Sequence, residues 1–150
     1  MFFIFLISAV IIFTADIFLK TYMWDRLAYS SVPVIKNIFH ISVTCNTGAA
    51  FGIFQGKTFF LIVVTFIFLL FFLWFIFNEK NKPKIFFLAC GLILGGAVSN
   101  LYDRIFNGCV IDYLDFIVWP VFNLSDSAIC VGVGILVLLE IWKIKRARGK

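Results

Sequence analysis

The chain has 150 residues, of which 63% are hydrophobic and only 14% are charged. Soluble domains carry about 25% charged residues, so this composition excludes an ordinary soluble domain and indicates a membrane protein. The net charge is +5, but the basic residues gather beside apolar segments, which argues against nucleic-acid binding. With a single histidine, His40, and no Cys-x-x-Cys pair, the sequence offers no ligand set for zinc or haem, and no cofactor is expected.

Four apolar segments predict an all-α membrane protein with four transmembrane helices. Each approaches the roughly 20 residues that a helix needs to cross the hydrocarbon. Their many Phe, Ile and Val residues favour strands in water, but in lipid only a helix satisfies its own backbone. The predicted helices are residues 1–20, 58–77, 85–102 and 125–144. We interpret residues 1–150 as one integral-membrane domain whose first segment is a retained helix rather than a cleaved signal peptide, because it lacks a basic start.

Residues 21–57, between the first two predicted helices, predict a small extracytoplasmic β-rich cap. Within residues 31–44 apolar side chains alternate loosely with polar ones, as in one or two short strands. Tyr22, Trp24 and Tyr29 are of the types enriched where a membrane meets water. The cap is therefore expected at a membrane surface.

The lysines and arginines predict the orientation of the helices. Three lysines lie in the linker 78–84 and five basic residues lie in the tail 143–150. Four spans place both clusters and the N-terminus on one side, which the positive-inside rule makes the cytoplasm. All aspartates then lie at or near the outer face, and both glutamates at the inner one. The aspartates are Asp16, Asp25, Asp103, Asp112, Asp115 and Asp126.

Asp112 and Asp126 are the candidates for chemistry. Two carboxyls close together in a partly desolvated site cannot both ionise, so they share one proton. One can then act as base on a water while the other acts as acid towards a carbonyl, which suits peptide hydrolysis without a metal. The residues alone leave open that Asp126 is only a helix cap and Asp112 only a turn residue.

Several other charged residues have a predicted supporting role. Asp16 and Lys20 are spaced i, i+4 and can pair, the alternative being an interfacial ion pair with Lys20 reaching outward. Arg104 can pair with a loop carboxylate or hold a backbone carbonyl, and Asp103 can anchor a helix end. Asp115 is interpreted as a solvated loop charge.

Small residues are concentrated in the turn from Asn46 to Gly52 and in the third helix. Small residues in this turn permit close backbone approach, and Asn46 can hydrogen-bond an extended peptide, the alternative being an ordinary loop. Gly91 and Gly95 form a GxxxG pattern, which predicts close helix packing.

The four cysteines are isolated from one another in the sequence. Cys90 and Cys130 lie in apolar segments and are predicted to be small core residues. Cys45 and Cys109 fall on the side that the orientation makes oxidising, but no disulfide is predicted between them.

In its aspartate, asparagine and glycine motifs the chain resembles the lipoprotein signal peptidases, also called signal peptidase II, of bacterial inner membranes. Each matching fragment is weak alone, but their order and spacing cover nearly the whole chain. The fragments are Asp16-x-x-x-Lys20, Asn46-Thr-Gly-Ala-Ala-Phe, Gly95-Gly-Ala-x-x-Asn100-x-x-Asp103-Arg104, Val110-Ile-Asp112 and Phe122-Asn-x-x-Asp126.

The resemblance implies an aspartic endopeptidase that removes signal peptides from diacylglyceryl-modified prolipoproteins, cutting before the lipidated cysteine. The catalytic carboxylates of that family fall on Asp112 and Asp126. Membrane lipid, lipidated substrates and cyclic-peptide inhibitors of the globomycin type are the implied partners, with both termini cytoplasmic and the active site at the outer face. The implied supporting residues are Asp16, Lys20, Asn46, Gly52, Asn100, Asp103, Arg104 and Asn123.

Two residues beside the candidate aspartates depart from the pattern of that family. Ser125 stands where the family usually has Ala, and Tyr113 stands where Phe is common. Neither change removes a carboxylate. The N-terminus also lacks the basic residues often found there, so the orientation depends on the linker and the tail.

Two other functions remain open from the residues alone. Intramembrane carboxylates are typical of proton- or ion-coupled carriers, and the aspartates of a non-catalytic membrane anchor can simply be caps. Against a carrier, the acidic residues gather at one face and leave no polar path towards the cytoplasm. Proton uptake into liposomes would favour the carrier, and loss of peptide cleavage in Asp→Asn variants would favour the peptidase.

Overall fold

The computed structural model describes residues 2–49, 52–79 and 81–148, and consists of four long helices and three strands. Ala50 and Phe51 of the predicted turn, and Lys80 and Lys150 of the basic clusters, lie outside the described residues. All four helices are long and apolar enough to cross a membrane, which confirms the predicted fold class. In chain order the elements are α1 (Phe2–Leu27), β1 (Ser31–Ile35), β2 (Phe39–Asn46), α2 (Thr58–Asn78), α3 (Lys84–Phe106), β3 (Val110–Asp115) and α4 (Leu124–Arg148).

Helix α3 is the central helix of the bundle. In its most apolar window 67% of the residues are buried, against 22% in α1 and 11% in α4. Glycines let the neighbouring backbones approach: a Cβ at Gly91 or Gly95 would lie 2.5 Å from a carbonyl oxygen of α1. A Cβ at Gly96 would lie 2.6 Å from a carbonyl oxygen of α4. The predicted close packing through small residues is thus confirmed, and it brings the polar residues of three helices together.

Helix α1 continues to Leu27 rather than ending near Lys20. The charged pair of Asp16 and Lys20 does not interrupt the helix because both side chains are buried inside the bundle. The last turns, including Met23 and Trp24, pack against a cluster of buried residues from the strands. The extension of α1 therefore supports the sheet from below.

The cap is a three-stranded antiparallel sheet in the order β1-β2-β3. Strands β1 and β2 fall within the predicted cap, but β3 lies in a segment that had been interpreted as a loop. Thr44 of β2 faces Asp112 of β3, and Asn46 faces Val110. Asp112 is therefore a buried strand residue with 2% exposure, and the interpretation of it as a turn residue is wrong. Strand β3 was not predicted from the sequence because its partner strand, β2, is remote in the chain.

The cysteines correct two predictions. Cys45 and Cys109 form a disulfide, which had not been expected, with their Cα atoms 5.5 Å apart across 64 residues of chain. The pairing of β2 with β3 places Cys45 opposite Ile111, two positions beyond Cys109. Cys90 is buried as predicted, but Cys130 is exposed because α4 turns the opposite face towards α3.

Candidate active site

Asp112 and Asp126 meet at one completely buried residue, Asn123. The Asn123 side chain donates from Nδ2 to Asp112 Oδ1 at 2.7 Å. The Asn123 backbone N–H donates to Asp126 Oδ2 at 3.3 Å. The strand β3 and the first turn of α4 thus bring both carboxyls to the same side chain, although they are separated in the sequence.

Asn123 also caps helix α4. Its Oδ1 accepts the backbone N–H of Asp126 at 2.9 Å, while the Asp126 carboxylate accepts the Asn123 N–H. This reciprocal pair has the geometry of a capping box, in which the N-cap residue and the residue three positions later satisfy each other's backbone. Asp126 is therefore a cap, as the alternative interpretation held, but its half-buried carboxyl also accepts from Asn100 Nδ2 at 2.8 Å. The Asp126 carboxyl therefore caps the helix and still accepts a hydrogen bond from another part of the site.

The surroundings of Asp112 favour the protonated form of its carboxyl. Burial raises the pKa of Asp112 to about 7, and the nearby negative charge of Asp126 acts in the same direction. Hydrogen bonds from Asn46 and Asn123 oppose the rise because they favour the ionised form. Near neutral pH the two carboxyls are therefore expected to hold about one proton between them.

Asn46, at the end of β2, completes the contacts to Asp112. Its Nδ2 donates to Asp112 Oδ2 at 2.9 Å, and its Oδ1 accepts the N–H of Gly48 at 2.9 Å. The Gly48 contact forces the amide nitrogen towards Asp112, because the oxygen is already used. Asn46 thus orients the Asp112 carboxyl, and its predicted contact with a substrate backbone stays a prediction.

Arg104 ties the end of α3 to the turn after β2. Its Nη2 donates to the carbonyl of Gly48 at 3.2 Å and its Nη1 to the carbonyl of Asn100 at 3.3 Å. Of the two predicted roles, it therefore holds backbone carbonyls. Its Nε is the buried side-chain nitrogen left without a hydrogen-bond partner within the described part of the chain.

A buried ion cluster lies directly beneath the two carboxyls. Lys20 Nζ lies 2.7 Å from Asp16 Oδ2 and 3.0 Å from Asp103 Oδ2. Lys20 is only 1% exposed, so the alternative of a lysine that reaches outward is wrong. One cation between two carboxylates requires further donors to offset their desolvation. Asp103 obtains them from the backbone N–H of Ile111 at 3.1 Å and from Asn107 Nδ2 at 3.1 Å, which anchors the end of α3 to β3.

Asn100 connects the ion cluster to the carboxyl pair. Its Oδ1 accepts from Lys20 Nζ at 2.8 Å and from Asn123 Nδ2 at 3.2 Å. Because an ammonium group only donates, Lys20 fixes the amide oxygen towards itself. The Asn100 Nδ2 must then point the other way, which is towards Asp126. The buried cation thus sets the orientation of an amide that binds a candidate catalytic residue.

Two predicted residues lie away from this cluster. Gly52 is exposed in the loop before α2, where its φ of 73° suits glycine. Asp115, interpreted as a solvated loop charge, ends β3 and accepts from Ser42 Oγ at 2.6 Å and from the N–H of Ile117 at 2.7 Å. These hydrogen bonds lower the pKa of Asp115.

Three hydroxyls of the cluster were missed as functional candidates. Ser99, Ser125 and Tyr113 all donate to Asp16, Ser99 at 2.7 Å from its Oδ2. Ser99 had one local signal, its position one helical turn before Asp103 in an apolar segment. The sequence gives no sign of the shared partner because Asp16 lies on another helix.

An apolar cavity opens beside Asp126. Its volume is about 470 Å³, and it lies between the first turns of α4 and the loop that leads into it. The cavity places apolar surface directly next to a carboxyl, as a site for a partly apolar substrate requires. Its lining residues are Trp119, Pro120, Val121, Phe122, Asp126, Ser127, Ile129 and Cys130.

The sequence matches known proteins over most of its length. A family model for signal peptidase (SPase) II matches residues 8–142. The chain is 41% identical to a lipoprotein signal peptidase of Halothermothrix orenii over 133 residues, which are 88% of this chain and 91% of that protein. It is 45% identical to a lipoprotein signal peptidase of Desulfitobacterium hafniense over 119 residues, which are 79% of each protein.

Two solved structures, both of bacterial membrane enzymes, share the fold. The first superposes with a TM-score of 0.87 at 27% identity and covers 95% of this chain and 90% of its own. The second superposes with a TM-score of 0.80 at 28% identity and covers 90% of both chains. Because the family match runs from the first helix to the fourth, the chain belongs to the signal peptidase II family of bacterial multi-pass membrane proteins.

Proposed function

We propose that the chain removes signal peptides from prolipoproteins by aspartic catalysis at Asp112 and Asp126. The observation that carries this assignment is the contact of one buried side chain, Asn123, with both carboxyls. The signal peptidase II family supplies the reaction class, peptide-bond hydrolysis by an aspartic-type enzyme. Membership of that family replaces the carrier and the non-catalytic anchor as interpretations of the acidic residues.

The chemistry follows from one proton shared by two carboxyls. The ionised carboxylate takes a proton from water as the water oxygen attacks the scissile carbonyl carbon, and the protonated carboxyl gives its proton to the carbonyl oxygen. The resulting diol collapses when the newly protonated carboxyl delivers its proton to the amide nitrogen. The C–N bond then breaks, and a hydroxyl proton of the diol returns to the other carboxylate. The raised pKa of Asp112, about 7, supports a pair that holds one proton at neutral pH.

The neighbouring residues are proposed to position this pair and the peptide. Asn46 donates to the carboxyl of Asp112 and Asn100 donates to that of Asp126, so the two amides fix the orientation of the carboxyls. Arg104 holds the turn after β2 against the end of α3 through the carbonyls of Gly48 and Asn100. Lys20 acts at one remove because it orients Asn100.

The lipidated part of the substrate is proposed to use the apolar cavity beside Asp126. The scissile bond of a diacylglyceryl-modified substrate lies next to its lipidated cysteine, so apolar surface must adjoin the carboxyls. Phe122 and Ile129 line such a surface next to Asp126. The acyl chains can then remain in the bilayer while the peptide crosses the carboxyl pair. Cyclic peptides of the globomycin type are expected to compete for the same site.

The carboxyl pair is proposed to face the outer side of the bacterial inner membrane, with both termini cytoplasmic. Lys82 of the linker and the basic residues that end α4 lie at the opposite end of the bundle from the sheet. The disulfide of Cys45 and Cys109 lies at the sheet, and disulfides persist in oxidising compartments. Two independent features therefore support the same orientation.

The assignment is tested by replacing each carboxyl with an amide of the same shape. Asp112→Asn and Asp126→Asn are each expected to lower cleavage of a purified lipidated prolipoprotein by at least about 10³-fold, because either change removes half of the acid–base pair. Asp115→Asn, outside the cluster, is the matched control and is expected to cleave normally. Thermal unfolding in detergent checks that all three variants fold. Cleavage that survives in both single variants would refute the assignment.

A further inference from the structure

Asp16 is a completely buried carboxylate that binds several parts of the fold at once. Its Oδ2 accepts from Ser125 Oγ at 2.5 Å and from Ser99 Oγ at 2.7 Å, in addition to the ion pair with Lys20. Its Oδ1 accepts from the backbone N–H of Ser125 at 3.2 Å and from the hydroxyl of Tyr113 at 3.4 Å. Helix α1 is thereby joined to α3, β3 and α4 through one side chain.

Two of these donors are immediate sequence neighbours of the candidate catalytic residues. Tyr113 follows Asp112 on β3, and Ser125 precedes Asp126 in the first turn of α4. The Tyr113 hydroxyl also accepts the backbone N–H of Leu124 at 3.2 Å, which links β3 directly to the start of α4. The segments that carry the two carboxyls are therefore tied to each other and to the same buried acid.

Neither hydroxyl can reach a substrate. Tyr113 is 2% exposed and Ser125 is fully buried, so their contacts are entirely internal. Burial and the adjacent Asp16 carboxylate raise the pKa of Tyr113, so its hydroxyl keeps the proton that it donates.

We propose that Tyr113 and Ser125 are positioning residues, whose hydroxyls hold Asp112 and Asp126 at their working separation by anchoring both segments to Asp16. The inference rests on the proposed function, because it needs those two aspartates to be the catalytic pair. Reactions that pass through a shared water depend steeply on the placement of the groups that grip it. The loss of an anchor is therefore expected to slow the chemical step more than it weakens substrate binding.

The test measures kcat and KM separately for the variants Tyr113→Phe and Ser125→Ala, on the full-length enzyme with a lipidated prolipoprotein peptide. Each removes one hydroxyl and little volume. A fivefold fall in rate corresponds to a loss of about 1 kcal/mol at the transition state, which is part of the energy of a hydrogen bond to a charged group. We expect kcat to fall about fivefold in each variant and at least about tenfold in the double variant, with KM unchanged.

Matched controls separate positioning from general loss of stability. Ser8→Ala removes another buried hydroxyl, one that donates only to carbonyls of its own helix, and Tyr102→Phe removes an exposed one. Both controls are expected to keep the wild-type kcat. A double variant with the wild-type kcat, or a rise in KM at constant kcat, would overturn the inference. If the double variant does not fold, the single Tyr113→Phe variant decides by the same criterion.

Asp112→Asn, assayed in parallel, separates this inference from the proposed function. An inactive Asp112→Asn enzyme together with hydroxyl variants of wild-type kcat would remove only the positioning role. An active Asp112→Asn enzyme would remove the catalytic assignment itself, whatever the hydroxyl variants do.

Discussion

The hydrogen bond from Asn46 to Asp112 makes the pH dependence of the reaction a test of the carboxyl pair. Asn46 Nδ2 lies 2.9 Å from Asp112 Oδ2 and lowers the pKa of a carboxyl that burial raises to about 7. Asn46→Ala removes that donor. The ionised form of Asp112 then loses a stabilising contact that the protonated form does not need, so its pKa must rise further.

The size of the effect follows from the energy of the bond. A hydrogen bond to a charged group is worth about 1.5–3 kcal/mol, and one pKa unit corresponds to about 1.4 kcal/mol. The pKa of Asp112 is therefore expected to rise by about one to two units in Asn46→Ala. The proposed catalytic pair needs its shared proton, so activity is expected to fall as pH rises through this pKa. The alkaline limb of kcat/KM should move from near pH 7 to about pH 8–9.

The assay is the pH profile of prolipoprotein cleavage by the purified enzyme in detergent or nanodiscs. Asn78→Ala is the matched control, since Asn78 donates to a carbonyl of its own helix at the other end of the bundle. Its alkaline limb should coincide with that of the wild type. An alkaline limb that stays in place, or moves to lower pH, in Asn46→Ala would refute the account of Asp112 as the buried, proton-holding carboxyl.

The same raised pKa predicts how stability depends on pH. The folded-state pKa of Asp112, about 7, lies above the ordinary value of 3.8, so the folded chain binds its proton more tightly than the unfolded chain. This contribution is fully present below about pH 4 and is lost as the pH rises through 7. Asp112→Asn, which cannot ionise, should flatten the dependence of Tm on pH between these values. An unchanged slope would contradict the desolvation of this carboxyl.

Three further predictions concern the scaffold. Lys20→Met strips two buried carboxylates of their cation and should lower the free energy of unfolding by about 3–5 kcal/mol, read as a fall in Tm. Gly95→Val places a side chain against the α1 backbone and should destabilise the bundle by about 1–3 kcal/mol, whereas Gly134→Val, with open space around it, should not. Reductant should lower the Tm of the wild type by opening the bond of Cys45 and Cys109, a loss of about 2–4 kcal/mol, and should leave a variant with both cysteines replaced by Ser unaffected. The first prediction is contradicted if Lys20→Met melts like the wild type, and the second if Gly95→Val melts like Gly134→Val. The third is contradicted if reductant leaves the Tm of the wild type unchanged.

The sequence alone determined the membrane architecture. Four helices follow from segment length and apolarity, because a chain in lipid must satisfy every backbone group internally and a helix does so locally. The glycines at 91 and 95 also indicated close packing, because small residues four positions apart lie on one face of a helix and let a neighbouring backbone approach. These inferences need no knowledge of distant residues.

The candidate site was predictable as a set of residues but not as an arrangement. Spacing and residue type selected Asp112 and Asp126, and the structure joins them through Asn123. The sequence could not show that Lys20 is buried, because its partner Asp103 belongs to another helix. A side chain that is interfacial on an isolated helix becomes internal only when its neighbours surround it.

Strand β3 and the disulfide were decided by tertiary structure alone. Residues 110–115 form a strand because β2 lies beside them, and Cys45 meets Cys109 because the same pairing closes 64 residues of chain. Strand pairing is non-local, so a short segment carries little signal of its partner, whereas a transmembrane helix carries its whole signal within itself. The helices of this protein were therefore legible from the sequence, while the contacts that bring its acidic residues together required the fold.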